Sequence, residues 1–272
     1  MNALHPHLAA SQLAVVCALA VLAGMANAIA GGGMLLVFPA LVGLGVPPII
    51  ANATSTVALW PGAITSMWGY RRELTGARAW AYRFAIPSII GGVGGALLLL
   101  ATPEQRFKAL VPWLVLAATL IFAAQKPLVR WLAKEGGIIP HAQVVHADGS
   151  LAAPTTAFLV VQFVIAIYGG YFGAGAGIIM LGVLGFMGLT NIHQMNGLKN
   201  WSALCFNGVA IATFAIGGVV DWTLVLALGS SAALGGYLAS RMAQRVPQAA
   251  VRVVITVMGL TYVVWMLVSP SR

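Results

Sequence analysis

The chain has 272 residues, of which 14 are Lys or Arg and 5 are Asp or Glu, and 60 % of them are apolar. Soluble domains are about one-quarter charged; at 7 % charged and a mean hydropathy of +0.95 this chain has more apolar surface than a core of its size could bury, which excludes an ordinary soluble globular domain and implies a polytopic membrane protein. The net charge of +9 does not point to nucleic acid, because the basic residues fall in short clusters between apolar runs, as cytoplasmic loops do.

The first apolar run extends from Leu8 to Val46 and is interrupted by Gly31, Gly32 and Gly33. Within it, Ala26-Asn27-Ala28 imitates the end of a secretory signal, but His5 and His7 stand where Lys or Arg belong and the apolar character continues past the site, so no cleavage is expected. At about 20 residues per crossing, single transmembrane helices are predicted over Ala51–Tyr70, Phe84–Ala101 and Ala109–Gln125. A charged stretch containing Pro and Gly, Lys126–Pro154, then reads as a linker. Beyond it lies a second broken run, Thr155–Thr190, interrupted between Gly169 and Gly177, and three further crossings over Met195–Ile216, Trp222–Ser240 and Val253–Val268. Cys17 and Cys205, both within apolar runs, read as packing residues, and Asp221 as a solvated turn residue. Trp68, Tyr70, Trp80, Tyr82, Trp222 and Trp265 suit interfacial belts. The later glycines, Gly91, Gly92, Gly94 and Gly95 with Gly235 and Gly236, read as contacts for close helix packing.

Shifting the chain by 144 residues superimposes Gly33 on Gly177, Asn52 on Asn196, Gly91-Gly92 on Gly235-Gly236, Pro103 on Pro247 and Lys108 on Arg252 without a gap. A constant offset joining such different features indicates internal duplication. The predicted fold class is therefore an all-α polytopic membrane protein of two homologous halves, residues 8–125 and 155–268, joined by a cytoplasmic linker at 126–154. Each half is read as a Gly-broken or re-entrant first segment followed by three transmembrane helices. If the broken segments return to their own side, ten Lys and Arg collect on one side of the membrane against three on the other, Lys199 being set aside as intramembrane. The positive-inside rule prefers that arrangement, which makes the repeat inverted and places both termini outside. The arms of the second hairpin, Thr155–Tyr168 and Ile178–Thr190, hold 14 and 13 residues. At about 1.5 Å per residue each reaches just past the middle of the hydrocarbon core.

Irregular backbone at membrane depth is tolerated only where it is buried in protein or lines a cavity. Two glycine breaks in matching positions, each ahead of a short helix starting near Met34 or Ile178, therefore point to a central site faced by helix amino ends, which favour an anion. The glycines assigned to it are Gly31, Gly32, Gly33, Gly175 and Gly177. Polar clusters open the following helices: Asn52, Thr54, Ser55 and Thr56 in the first half, and Asn196, Lys199, Asn200 and Ser202 in the second. Lys199 aligns with Ser55 and is the lone charge between Gly149 and Val220. A lysine at a helix centre costs roughly 2.5 to 3.5 kcal/mol on insertion scales, which a bound anion would offset. His193 is a lone imidazole beside a loop. No metal-ligand cluster, paired carboxylate or phosphate-binding loop occurs in the apolar runs, so no catalytic residue, metal or cofactor is assigned.

The run Ala30-Gly-Gly-Gly-Met-Leu-Leu-Val-Phe-Pro-Ala-Leu-Val-Gly-Leu-Gly-Val-Pro-Pro-Ile-Ile-Ala-Asn-Ala-Thr-Ser-Thr, followed by Pro61-Gly62 and Tyr70-Arg71-Arg72, resembles the TauE/SafE family of membrane anion exporters. So does Gly173-Ala-Gly-Ala-Gly-Ile-Ile-Met, and the likeness covers nearly the whole chain. The resemblance implies export of sulfite or a small organosulfonate such as sulfoacetate across a bacterial inner membrane. Its partners would be the anion, the lipid bilayer and a second copy of the chain, without nucleic acid. An anion channel and a non-transporting membrane scaffold are the rival readings.

Overall fold

The computed structural model describes residues 9–29, 32–72, 74–124, 153–189, 191–242 and 248–268. Among them every regular element is helical: α1 (Ala10–Ile29), α2 (Met34–Gly43), α3 (Pro48–Tyr70), a short 3-10 turn (Thr75–Ala77), α4 (Arg78–Ala101), α5 (Glu104–Ala123), α6 (Thr156–Tyr171), α7 (Ala176–Phe186), α8 (Ile192–Ile216), α9 (Trp222–Met242) and α10 (Gln248–Val268). In lipid only a helix satisfies its own backbone polar groups, and these segments carry little else but apolar residues. Of them, Ala10–Asn27, Arg78–Ala101 and Glu104–Ala123 are long and apolar enough to cross a membrane. Large side chains such as Ile86, Ile90, Leu97, Trp113, Leu226 and Val264 are exposed along α4, α5, α9 and α10, as hydrocarbon-facing surfaces require.

The predicted crossings fall within observed helices except Ala109–Gln125, which outruns α5 at Ala123; Gln125 lies outside the described residues, as do most of the linker and Gly31. The broken segments differ from expectation in proportion. With 20 residues, α1 spans about 30 Å and could cross the core alone, whereas α2 has 10 residues. In the second segment the arms are 16 and 11 residues. Gly169 and Gly170 do not break the chain; they lie inside α6, and the break is confined to Phe172–Gly175. The reason is packing: a Cβ on Gly169 would lie 2.5 Å from the Phe206 ring, and one on Gly170 would strike the Gly92 carbonyl.

The chain divides into two compact units. Met1–Gly62, Leu99–Ala123 and Phe214–Arg272 form the first, and Ala63–Leu98 with Ala124–Thr213 the second. In the first, α1 lies against α9, with Gly24 on the Ala232 backbone and Gly235 on the Val21 backbone, and α5 lies against α10, where Gly259 meets Thr119. In the second, α4 lies against α6 through Gly91, Gly92 and Gly95, and Gln162 Nε2 donates to Ser88 Oγ at 2.8 Å across that contact. Small residues let helix backbones approach closely enough for dispersion to hold them where no hydrophobic driving force acts between helices. Gly94 departs from this reading, since nothing lies within 4 Å of its Cβ position, and Gly236 has only a carbonyl at 3.9 Å. Trp80 departs from the interfacial belt: it is 1 % exposed, packed on Phe84 and Phe158 in the core of the second unit. Trp68, Tyr82, Trp222 and Trp265 are exposed.

Candidate functional site

In the first unit the chain leaves α1, turns at Gly32 (φ 87°) and enters α2 through Gly33. Asn27 Oδ1 accepts the Gly33 N–H at 2.7 Å, so the side chain of the last turn of α1 satisfies an amide that the start of α2 leaves open. A Cβ on Gly33 would lie 2.5 Å from Ala23 O and 2.8 Å from Asn27 Oδ1, which explains glycine at that position. The first turn closes with Leu35 N–H donating to Gly32 O (3.0 Å), and the Leu36 and Val37 amides to Gly33 O.

From the polar cluster of α3, Asn52, Thr54 and Ser55 are buried. Asn52, Ser55 and Thr56 share one helix face by their three- and four-residue spacing. Thr56 Oγ1 donates to Asn52 O at 2.9 Å, within the helix, whereas Ser55 Oγ is buried with no hydrogen-bond partner. Thr54 faces elsewhere: its hydroxyl accepts the Asp221 N–H at 3.1 Å. Asp221 in turn caps α9, with Oδ1 accepting the Thr223 and Leu224 amides at 3.0 Å each. The turn that reads as solvated is therefore a partly buried helix cap fixed by Thr54.

In the second unit the break uses Gly173 (φ 77°) and Gly175 (φ 80°), left-handed conformations that favour glycine. Tyr168 OH donates to Ala174 O at 2.6 Å and ties the break to α6. The Ala176 amide donates to Gly173 O, and those of Ile178 and Ile179 to Gly175 O, which leaves the Gly177 N–H as the amide of this turn with no acceptor among the described residues. Lys199 lies over this helix start. A Cβ on Gly177 would be 3.2 Å from its Cδ, 3.5 Å from Cγ and 3.9 Å from Cε, so glycine makes room for the lysine stem. Lys199 is half-buried, and no carboxylate among the described residues pairs with it. Asn196 and Asn200 occupy the same face of α8 as Lys199. Asn200 is buried, and Ser202 is 0 % exposed with no partner for its Oγ. His193 is exposed beside Asn191, whose Oδ1 accepts the His193 and Gln194 amides and caps α8.

Three residues with clear structural roles were not assigned from sequence, Asn27, Tyr168 and Asn191, and the capping role of Asp221 was not foreseen. Asn27 had a signal, being the single side-chain amide between Gln12 and Asn52. Among the described residues no group of three or more His, Cys, Asp or Glu could hold a metal.

A family model described as sulfite exporter TauE/SafE matches residues 16–266, a span that contains both breaks and both polar clusters. The chain belongs to the TauE/SafE family. Among TauE/SafE relatives, a probable membrane transporter protein, ORF9, of a Sinorhizobium species is 26 % identical over 267 residues, covering 97 % of this chain and 96 % of its own. A probable membrane transporter protein of Haemophilus influenzae is 26 % identical over 252 residues, 91 % of each chain. The probable membrane transporter protein YfcA of Escherichia coli K12 is 27 % identical over 236 residues, 86 % of this chain and 80 % of its own. No solved structure matches the chain. Membership in TauE/SafE makes it an integral membrane protein of a transporter family, consistent with its helical, apolar segments.

Removing the Asn27 carboxamide leaves the Gly33 amide without its acceptor. Asn27→Ala is expected to lower stability by about 1 to 3 kcal/mol, the usual cost of an orphaned buried donor, read as a fall in the melting temperature of the purified protein.

Proposed function

We propose that this protein exports a small sulfur-containing anion, sulfite or an organosulfonate such as sulfoacetate, across a bacterial inner membrane by alternating access at a site near the bilayer midplane. The observation that carries the reading is Lys199: a lysine without a carboxylate partner among the described residues, its stem laid over a glycine break in a chain of the sulfite exporter family. An intramembrane charge marks a substrate pathway by default. Sulfite and sulfonates offer three oxygens that the Lys199 ammonium, helix amides and the side chains of Asn196, Asn200 and Ser202 can share. A helix amino end contributes about 0.3 to 1 kcal/mol, up to about 2 when partly buried, which suits binding loose enough for turnover.

The alternating motion rests on internal duplication. Pro48 and Ile192, Arg78 and Trp222, and Glu104 and Gln248, which open three pairs of helices, are each 144 positions apart. Both short helices end in the same cap, Val46 N–H to Leu41 O and Leu189 N–H to Leu184 O, 143 positions apart, so one residue is gained in the connection that follows. Likewise α9 on α1 and α4 on α6 are the same contact made with the halves exchanged. The charge asymmetry described above supports an inverted arrangement, in which one repeat rocks against the other.

The test is flux in liposomes containing the purified chain. Saturable movement of sulfite or sulfoacetate, with sulfate and chloride as comparisons, is the expected result. Unitary current steps would replace the carrier by a channel, and no flux with any anion, together with a stable protein partner recovered by cross-linking, would replace it by a scaffold.

A further inference from the structure

Both breaks lead into a short helix, and the second leaves the first-turn amide of Gly177 without an acceptor among the described residues. What accompanies the two helix starts differs. At the start of α2 the positive end of the helix meets a carboxamide oxygen, Asn27 Oδ1, 2.7 Å from Gly33 N, and the position matching Lys199 is Ser55. At the start of α7 the side chain packed on Gly177 is that of Lys199, whose Cδ, Cγ and Cε line the position a Cβ would take. Tyr168, the side chain that ties the second break, donates to the Ala174 carbonyl. Ser202, one turn along α8 from Lys199, adds a fully buried hydroxyl that is also without a partner. A positive helix end and a lysine brought to the same turn favour a negative group there, and the second unit holds no carboxylate among its described residues to supply one. The difference between the breaks is therefore one of charge: the first brings a carboxamide oxygen to its helix start and the second a lysine, while each half keeps one buried hydroxyl without a partner, Ser55 and Ser202.

We propose that the chain holds one anion, in its second unit, between Lys199 and the amino end of α7, and that in the first unit Asn27 takes the place an anion would have. The occupant is a small oxyanion with one oxygen toward the ammonium and another toward the Gly177 amide. Its class, sulfite or sulfonate, rests on the export reading above, whereas the number and place of the sites do not. The first break is then a fixed structural end, and duplication has produced one binding half and one closed half.

Equilibrium dialysis of the full-length purified protein with labelled sulfite, and in parallel with sulfoacetate, sulfate, phosphate and chloride, counts the sites. The expected result is saturation at one anion per chain, with affinity weakened at least about tenfold in Lys199→Met, which keeps the stem on Gly177 and removes the charge. Two anions per chain, or a single one retained at full affinity in Lys199→Met, would overturn the proposal. Should Lys199→Met fail to fold, the wild-type chain decides: a bound anion protects Lys199 from an amine-reactive reagent, and unchanged labelling of Lys199 at saturation sinks the idea. Lysine-dependent binding of phosphate or chloride in place of every sulfur anion supports the site and removes the sulfur substrate. Sulfite flux that persists in Lys199→Met removes the site and leaves the export reading standing.

Discussion

Lys199→Ala is expected to lower sulfite flux into inverted vesicles by about 10- to 150-fold, the equivalent of losing a charge-assisted contact of about 1.5 to 3 kcal/mol. Stability should move the other way or stay level. On the export reading Lys199 lies at membrane depth, where an unpaired ammonium costs roughly 2.5 to 3.5 kcal/mol on insertion scales, so its removal relieves α8. The alanine variant also empties the volume that the lysine stem occupies over Gly177, and that lost packing offsets part of the relief. A residue serving only packing would show the reverse pattern, with falling melting temperature and flux reduced in proportion to folded protein. Lys199→Arg separates charge from shape. The guanidinium keeps the charge but is broader and planar, and the stem already sits 3.2 Å from the Gly177 Cβ position, so partial flux with weaker apparent affinity is the expected outcome. Full activity in Lys199→Ala would take the lysine out of the transport site.

The elements were legible because hydropathy and charge mark where helices start and stop in lipid, and the glycine breaks were legible because nothing else interrupts runs such as Leu8–Val46. The positions of Asn196, Lys199, Asn200 and Ser202 on one helix followed from spacing alone. What the sequence could not separate was the meaning of individual polar groups within a cluster. Thr54 and Ser55 are neighbours of like chemistry, yet one hydroxyl accepts the Asp221 amide from a loop 167 residues away and the other is buried without a partner. Trp80 reads like an interfacial residue because it follows Arg78, but the helix turns its ring into a core of Phe84 and Phe158. These distinctions depend on long-range contacts, which leave no local trace. The caps that close the two short helices, Val46 N–H on Leu41 O and Leu189 N–H on Leu184 O, lie 143 positions apart rather than the 144 of the sequence offset.

Glycines in apolar helices look alike in sequence, and the contacts at their Cβ positions predict opposite signs for one and the same substitution. Gly94→Ala should raise stability by about 0.5 to 1 kcal/mol, because alanine is the better helix former and nothing lies within 4 Å of the added methyl. Gly24→Ala should lower it by about 1 to 3 kcal/mol or more, because the methyl would strike the Ala232 carbonyl, a backbone atom that can yield only if α9 moves away from α1. Gly235→Ala meets the Val21 carbonyl from the other side of the same contact and should cost as much. The two losses should not add, since once the helices separate to admit one methyl the second finds room. Melting temperatures of the three single variants and of the Gly24→Ala, Gly235→Ala pair in one detergent measure all of this. If Gly24→Ala proved neutral, α1 and α9 would not be in close contact; strict additivity of the pair would mean that each glycine is constrained separately rather than by a shared helix crossing.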